Sequence, residues 1–221
     1  IAPNEDPLLV FTNAEQTIIT SEKVTQSNAR YPYETFFVDR KQPSVYYRLT
    51  NFSADNELAT LDSAILKRNT LALTEETKNI LGYACKKATT SVNSNSIEIW
   101  YTNDLNVKGA PNELGQNLGL VLEYVRNGNS KITATKIEKI KHIPNHVALR
   151  QFKKTVDALT YQDEVWKSRF VHIPVFQNEQ INFSDQAKSD SIMRFASGTV
   201  IVKKVKIPTL DKGSQAFVQL I

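Results

Sequence analysis

Two extended runs, Leu118–Arg126 and Lys131–Lys141, meet at Asn127-Gly128, and this junction limits the fold more than any other feature of the chain. Asn-Gly between extended runs sets a tight β-hairpin, because both central turn positions need φ > 0 and these residues reach it at low cost. The same pattern repeats upstream. Short runs rich in β-branched and aromatic residues lie at Leu8–Thr12, Gln16–Thr20, Thr35–Asp39, Val45–Thr50, Thr70–Thr74, Tyr83–Thr90 and Ser96–Thr102. Turn residues such as Asn13-Ala14, Pro43-Ser44 and Asn93-Ser94-Asn95 separate them. Strands at this spacing predict a mainly β fold on a mainly antiparallel sheet, curved or closed, with one or two short helices and a small C-terminal β segment.

The pattern changes after Pro144, so we divide the chain into three parts. Residues 8–145 are the curved β domain. Residues 146–172 form a linker in which Val147–Ala158 or Gln162–Arg169 is helical. Residues 173–221 are a β segment with strand-like runs at Gly198–Ile207 and Phe217–Ile221. Phe170–Phe176 carries Pro174 and reads as an edge or terminal strand. A domain seldom ends on a bare apolar strand, so the C-terminus is expected to be cut from a longer protein. Ile1–Pro7 has neither a basic n-region nor an apolar h-region, which fits a mature N-terminus whose signal peptide has been removed.

Composition excludes several functions. The 221 residues include 27 basic and 23 acidic side chains, a net charge of +4. These charges are interleaved, so the chain lacks the dense basic stripe that binds nucleic acid. No apolar run approaches the roughly eighteen residues a membrane span needs. The seven glycines form no phosphate-binding loop, and no Ser, His and Asp grouping stands out. His142 and His146 have helical metal-site spacing, but Pro144 between them breaks the helix that would align them. No metal site and no cofactor is expected. The single cysteine, Cys85, cannot form an internal disulfide. As a nucleophile it would need a base brought close by folding; otherwise it is a small, half-buried strand residue.

Residues 80–90, Ile-Leu-Gly-Tyr-Ala-Cys-Lys-Lys-Ala-Thr-Thr, and 99–102, Ile-Trp-Tyr-Thr, resemble the GLPGLI family of exported Bacteroidetes proteins. Pro111 fits that family's turn, with Ala110 in the glycine position. Gly119 and Leu120 match its signature and Val121 is conservative, whereas Gln116, Asn117 and Leu118 depart from it. The resemblance covers roughly residues 34–142 and implies a curved antiparallel sheet like that of half-barrel carriers. A second resemblance lies in Ile173-Pro174-Val175-Phe176, Ile181-Asn182-Phe183, Ser197-Gly198-Thr199-Val200 and Val205-Lys206-Ile207. It is similar to the entry into the first jelly roll of peptide-N-glycosidase F-like amidases, some of which carry an extra N-terminal bowl-shaped domain. The implied function is a non-catalytic recognition domain in a glycan-processing protein, periplasmic or secreted. An N-glycan or glycopeptide is the implied partner, and catalytic domains are expected beyond Ile221.

Strand alternation proposes where such a ligand would sit. One consistent assignment gathers Tyr46, Arg48, Lys86, Glu98 and Trp100 on a wetter face. An aromatic platform beside hydrogen-bonding charges suits a sugar. The alternative is that Trp100 fills the core and the charges form a solvated face. Tyr31, Tyr33, Phe36 and Phe37 read mostly as core, with at most one or two lining a cleft. Asp62-Ser63-Ala64 and Asp190-Ser191-Ile192 resemble O-glycosylation triplets of exported Bacteroidetes proteins. The competing functional reading is a carrier holding an apolar ligand on the curved sheet.

Overall fold

The computed structural model describes residues 6–41 and 44–169, and the backbone of two short strands, Met193–Phe195 and Gly198–Val200. The chain divides into two compact units, Ile1–Ala158 and Leu159–Ile221. The described strands of the first unit form two five-stranded antiparallel sheets, neither closed into a barrel. In the first sheet β1 (Leu8–Thr12), β2 (Gln16–Ser21), β3 (Tyr33–Asp39), β4 (Val45–Asn51) and β5 (Glu57–Asp62) pair in chain order. The second is a meander of β6 (Ala72–Ile80), β7 (Tyr83–Val92), β8 (Asn95–Thr102), β9 (Leu120–Arg126) and β10 (Ser130–Thr133). One-turn helices α1 (Glu22–Thr25) and α2 (Ile65–Arg68) follow β2 and β5, and Ser21 caps α1 by accepting from Val24 N–H.

Three turns of the second meander have left-handed backbone at both central positions: Leu81-Gly82, Asn93-Ser94 and Asn127-Gly128. The mainly β, antiparallel fold with few short helices is as expected; its strands divide between two sheets, and a hydrogen-bonding edge explains the break. Ala59 N–H donates to Lys154 O and Val156 N–H to Ala59 O, each at 2.9 Å, so an extended segment pairs parallel to β5. That segment fills the edge to which β6 would have to add. It also accounts for residues 147–157 being non-helical; the helix is α3 (Ala158–Arg169), which includes the second expected helical stretch. The sequence reading did not include β5. Its Glu-Leu-Ala-Thr-Leu-Asp composition favours helix, and tertiary pairing overrides that weak preference. In the second unit β11 (Met193–Phe195) and β12 (Gly198–Val200) pair antiparallel; the expected strands at 170–176, 201–207 and 217–221 lie outside the described residues.

One buried face of each sheet lies under an irregular segment. On the first, Ile18, Phe37, Leu49 and Ala59 are covered by Ile143, Leu149 and Phe152. On the second, Ala88, Ile97, Ile99 and Tyr101 are covered by Ala110, Leu114 and Leu118 from the β8–β9 loop. Arg40 joins that loop to the first sheet. Its Nη2 donates to Thr17 Oγ1 at 2.7 Å, Lys108 O at 2.8 Å and Gln116 O at 3.1 Å.

At Gly119 a Cβ atom would lie 2.4 Å from the Thr102 carbonyl oxygen and 2.5 Å from Asn103 Oδ1. Backbone cannot yield there cheaply. Gly119→Ala is therefore expected to lower the unfolding free energy by about 2–3 kcal/mol in a denaturant titration. A loss below about 0.5 kcal/mol would show that the loop repacks freely.

Candidate functional site

The first sheet builds a small cavity from a single cross-strand row. Tyr33 pairs with Asn51, and Asn51 with Glu57, so alternation turns all three to the face that carries Phe37 and Leu49. The segment after β10 crosses this face, with Phe152 centred 5.6 Å from Phe37 and 5.5 Å from Tyr47. Beside that packing, His146, Val147, Ala148 and Arg150 close a cavity of about 190 Å³, with Val24, Ser27, Tyr31, Tyr33, Thr35 and Asn51 among its other walls.

Val24, Thr35, Phe37, Leu49 and Val147 form the buried lining, and Ser27, Tyr31, His146 and Arg150 are its exposed members. Tyr31 and Tyr33 flank a cis Tyr31–Pro32 peptide bond and stack with ring centroids 5.2 Å apart and planes 22° apart. Tyr31 is 46% exposed, so part of its side chain is accessible to a ligand. Burial, and then Tyr31 itself, push the Tyr33 phenol up, so it stays a neutral donor and acceptor at neutral pH. The Asn51 carboxamide makes no side-chain hydrogen bond among the described residues. His146 Nε2 lies 2.8 Å from the Thr25 carbonyl oxygen, which ties the crossing segment to α1.

Arg150 is held from behind. Its Nη1 donates to Glu57 Oε1 at 2.8 Å, its Nη2 donates to Oε2, and Lys153 N–H adds a third bond to Oε1 at 2.8 Å. The Arg150 bonds hold the Glu57 carboxyl below its ordinary range, although its burial opposes this. Glu57 in turn raises Arg150, which stays charged.

The five residues singled out in the sequence do not come together. Tyr46 and Arg48 lie on β4, on the opposite face of the first sheet from the cavity. Tyr46 is buried against Phe36 at 6.1 Å, and the Arg48 guanidinium lies 5.9 Å from the same ring and 3.6 Å from Glu34. Lys86, Glu98 and Trp100 are in the second sheet. Lys86 pairs with Tyr101, which puts it on the face away from Trp100; the lysine opposite Trp100 is Lys87. The expected grouping depended on cross-strand register, and a one-residue difference moves a side chain to the other face. Glu98 and Trp100 do share a face. The indole is only 7% exposed, with Lys78 Nζ 4.0 Å and Lys87 Nζ 5.5 Å from the ring centroid.

Other sequence candidates also find their places. Cys85 is fully buried beside Ile80, Trp100 and Leu122, and burial pushes its thiol up. It is expected to resist a thiol reagent in the folded protein and react fully once denatured. Fast labelling of the native state would instead indicate an exposed, activated thiol. Ser63 is exposed, while Asp190-Ser191-Ile192 lies outside the described residues. Among the described residues no three His, Cys, Asp or Glu side chains gather to hold a metal ion, and no helix is long and apolar enough to cross a membrane. Asn51, Glu57 and Arg150 were not singled out in the sequence. The only advance signal for this site was the aromatic cluster at 31–37, since Arg150 and Glu57 are 93 positions apart.

Fold and cavity together define a two-sheet antiparallel β domain with a small recess of about 190 Å³ on its first sheet. The chain belongs to the family described as "N-glycanase peptide, N-terminal domain", which matches residues 1–163. Residues 172–221 match a second family, "Peptide-N-glycosidase F, N terminal". Two solved structures of PNGF-II are similar at 47% identity. The one in the C2 space group has a TM-score of 0.71, with 94% of this chain and 38% of that chain covered. The one in the P21 space group has a TM-score of 0.73, with 96% and 39% covered. This chain thus spans about two-fifths of the PNGF-II chain. No curated protein matches it in sequence.

Proposed function

We propose that this chain is the non-catalytic recognition part of a peptide-N-glycosidase F-like, glycan-processing protein, and that the Tyr31–Tyr33 cavity holds part of the glycan. Family membership supports the setting. The observation that carries the site is the exposed, stacked Tyr31 beside an Asn51 amide with no side-chain hydrogen bond among the described residues, in a cavity also lined by Phe37, Leu49 and Val147. Sugars present apolar C–H faces and hydroxyls together, and this lining complements both. The carrier alternative would need a larger apolar hollow, and a space of about 190 Å³ has no room for an acyl chain. Catalytic domains in the rest of the protein and a periplasmic or secreted location belong to the same proposal. So does kinship of residues 34–142 with the GLPGLI family, supported by the residue matches in β7, β8 and at Gly119.

Calorimetric titration of the chain with an N-glycopeptide tests this function. Binding is expected to weaken about ten-fold or more in Tyr31→Ala and in Tyr33→Ala. It should be unchanged in Glu98→Ala on the second sheet. Loss of binding in Glu98→Ala alone would move the site to the Trp100 face, and absence of binding in the wild type would overturn the proposal.

A further inference from the structure

The cavity's charge arrangement narrows what it can hold. Among its described lining residues Arg150 alone carries a permanent charge, and that charge is balanced within the protein. Glu57 takes up the guanidinium fork, with a side chain that is only 3% exposed. A third bond, from Lys153 N–H, fixes the carboxylate in place. An incoming anion would feel both Arg150 on the cavity wall and the Glu57 charge behind it, so attraction and repulsion largely cancel. It would also give up hydration against Phe37, Leu49 and Val147, which return nothing to a charge. A neutral hydroxyl loses far less on entry and can bond to Asn51. Size adds a second limit. At about 190 Å³ the recess is smaller than the roughly 300–1,000 Å³ of a drug-sized site, which suits one ring.

Resting on the carbohydrate reading above, we infer that the cavity accepts one uncharged sugar ring and rejects a carboxylated one, with Glu57 as the residue that sets this preference. Glu57 does so without touching the sugar: it neutralises Arg150, the group that would otherwise attract acidic glycans.

Matched probes isolate the effect. Methyl glycosides of glucose, galactose, mannose and N-acetylglucosamine, with the glucuronide and galacturonide, are titrated into labelled protein at pH 7 and followed by NMR. At least one neutral glycoside is expected to shift resonances of Tyr31, Tyr33, Asn51 and Arg150, and its uronide to bind about ten-fold more weakly or worse. In Glu57→Gln the gap should close or invert at low salt, because Arg150 is no longer balanced, and added salt should reopen it. Arg150→Gln, which leaves the nearby Glu57 charge unbalanced, should widen the gap, and it keeps the test usable if Glu57→Gln unfolds. A uronide binding the wild type as well as its neutral partner would overturn the inference and leave glycan recognition standing. An unchanged gap in a folded Glu57→Gln would remove Glu57 from the role. If neither the glycosides nor an N-glycopeptide shifts any cavity resonance, the carbohydrate reading itself fails.

Discussion

Trp100→Ala is expected to lower the unfolding free energy by about 3–5 kcal/mol. The indole fills the second buried face of its sheet among Ile80, Cys85 and Leu122, with Tyr83 and Leu120 packed alongside. Removing it leaves a void that β7, β8 and β9 cannot close without changing register. It also strips Lys78 of its cation–π partner, worth about another 1 kcal/mol at this half-buried site. The ammonium would still be held by Glu123, which is also bonded to Lys131 and Thr133. Trp100→Phe should restore most of the loss, because it returns the packing volume and an aromatic face. Denaturant titrations of the three proteins check this. A loss under about 1 kcal/mol, with glycopeptide binding abolished, would make Trp100 a ligand platform and not a core residue.

The second large effect is on acid stability. Glu57→Gln is expected to cost about 2 kcal/mol at pH 7. The figure is modest for a bidentate pair because the Arg150 side chain is 40% exposed and solvent screens it. The sign follows from the depressed Glu57 pKa. A carboxyl whose folded pKa lies below its unfolded value near 4.5 contributes fully above that value. The contribution is lost as the pH falls through 4.5 toward the lower folded value. Wild type and Glu57→Gln should therefore differ at pH 7 and draw together as the pH falls below 4.5. Glu123 acts in the same direction. Burial raises its pKa, but the bonds from Lys78, Thr133 and Lys131 outweigh that, so the wild type keeps some acid sensitivity after Glu57 is changed. A difference between wild type and Glu57→Gln that persists undiminished at pH 3 would show that the glutamine disturbs packing and that the ion pair is not the cause.

The meander was legible because its determinants are local. Asn127-Gly128 and Asn93-Ser94 adopt the left-handed turns their composition favours, and β1, β2, β4 and β8 lie within a residue or two of the expected runs. What could not be read was long-range pairing. β5 has helix-favouring residues and owes its extended form to β4 on one side and to residues 154–156 on the other. The run from Lys131 to Lys141 looked like one strand, but only Ser130–Thr133 pairs with β9, after which Ala134 N–H donates to Leu122 O and the chain moves on. The site was obscured for the same reason. Alternation correctly separated Trp100 from Ile99 and Tyr101, yet it could not say whether Lys86 or Lys87 stands opposite the indole. Nor could any local signal join Tyr33, Asn51, Glu57 and Arg150, which meet only because three strands fall into register and a distant segment crosses them.

Chemical-shift mapping during titration with an N-glycopeptide tests the central claim most directly, since it locates the bound ligand without a substitution. The expected result is a continuous patch of shifts covering Tyr31, Tyr33, Asn51 and residues 146–150, with β7 and β8 unperturbed. Shifts confined to Lys87, Glu98 and their neighbours on the second sheet, or no shifts at saturating ligand, would contradict it.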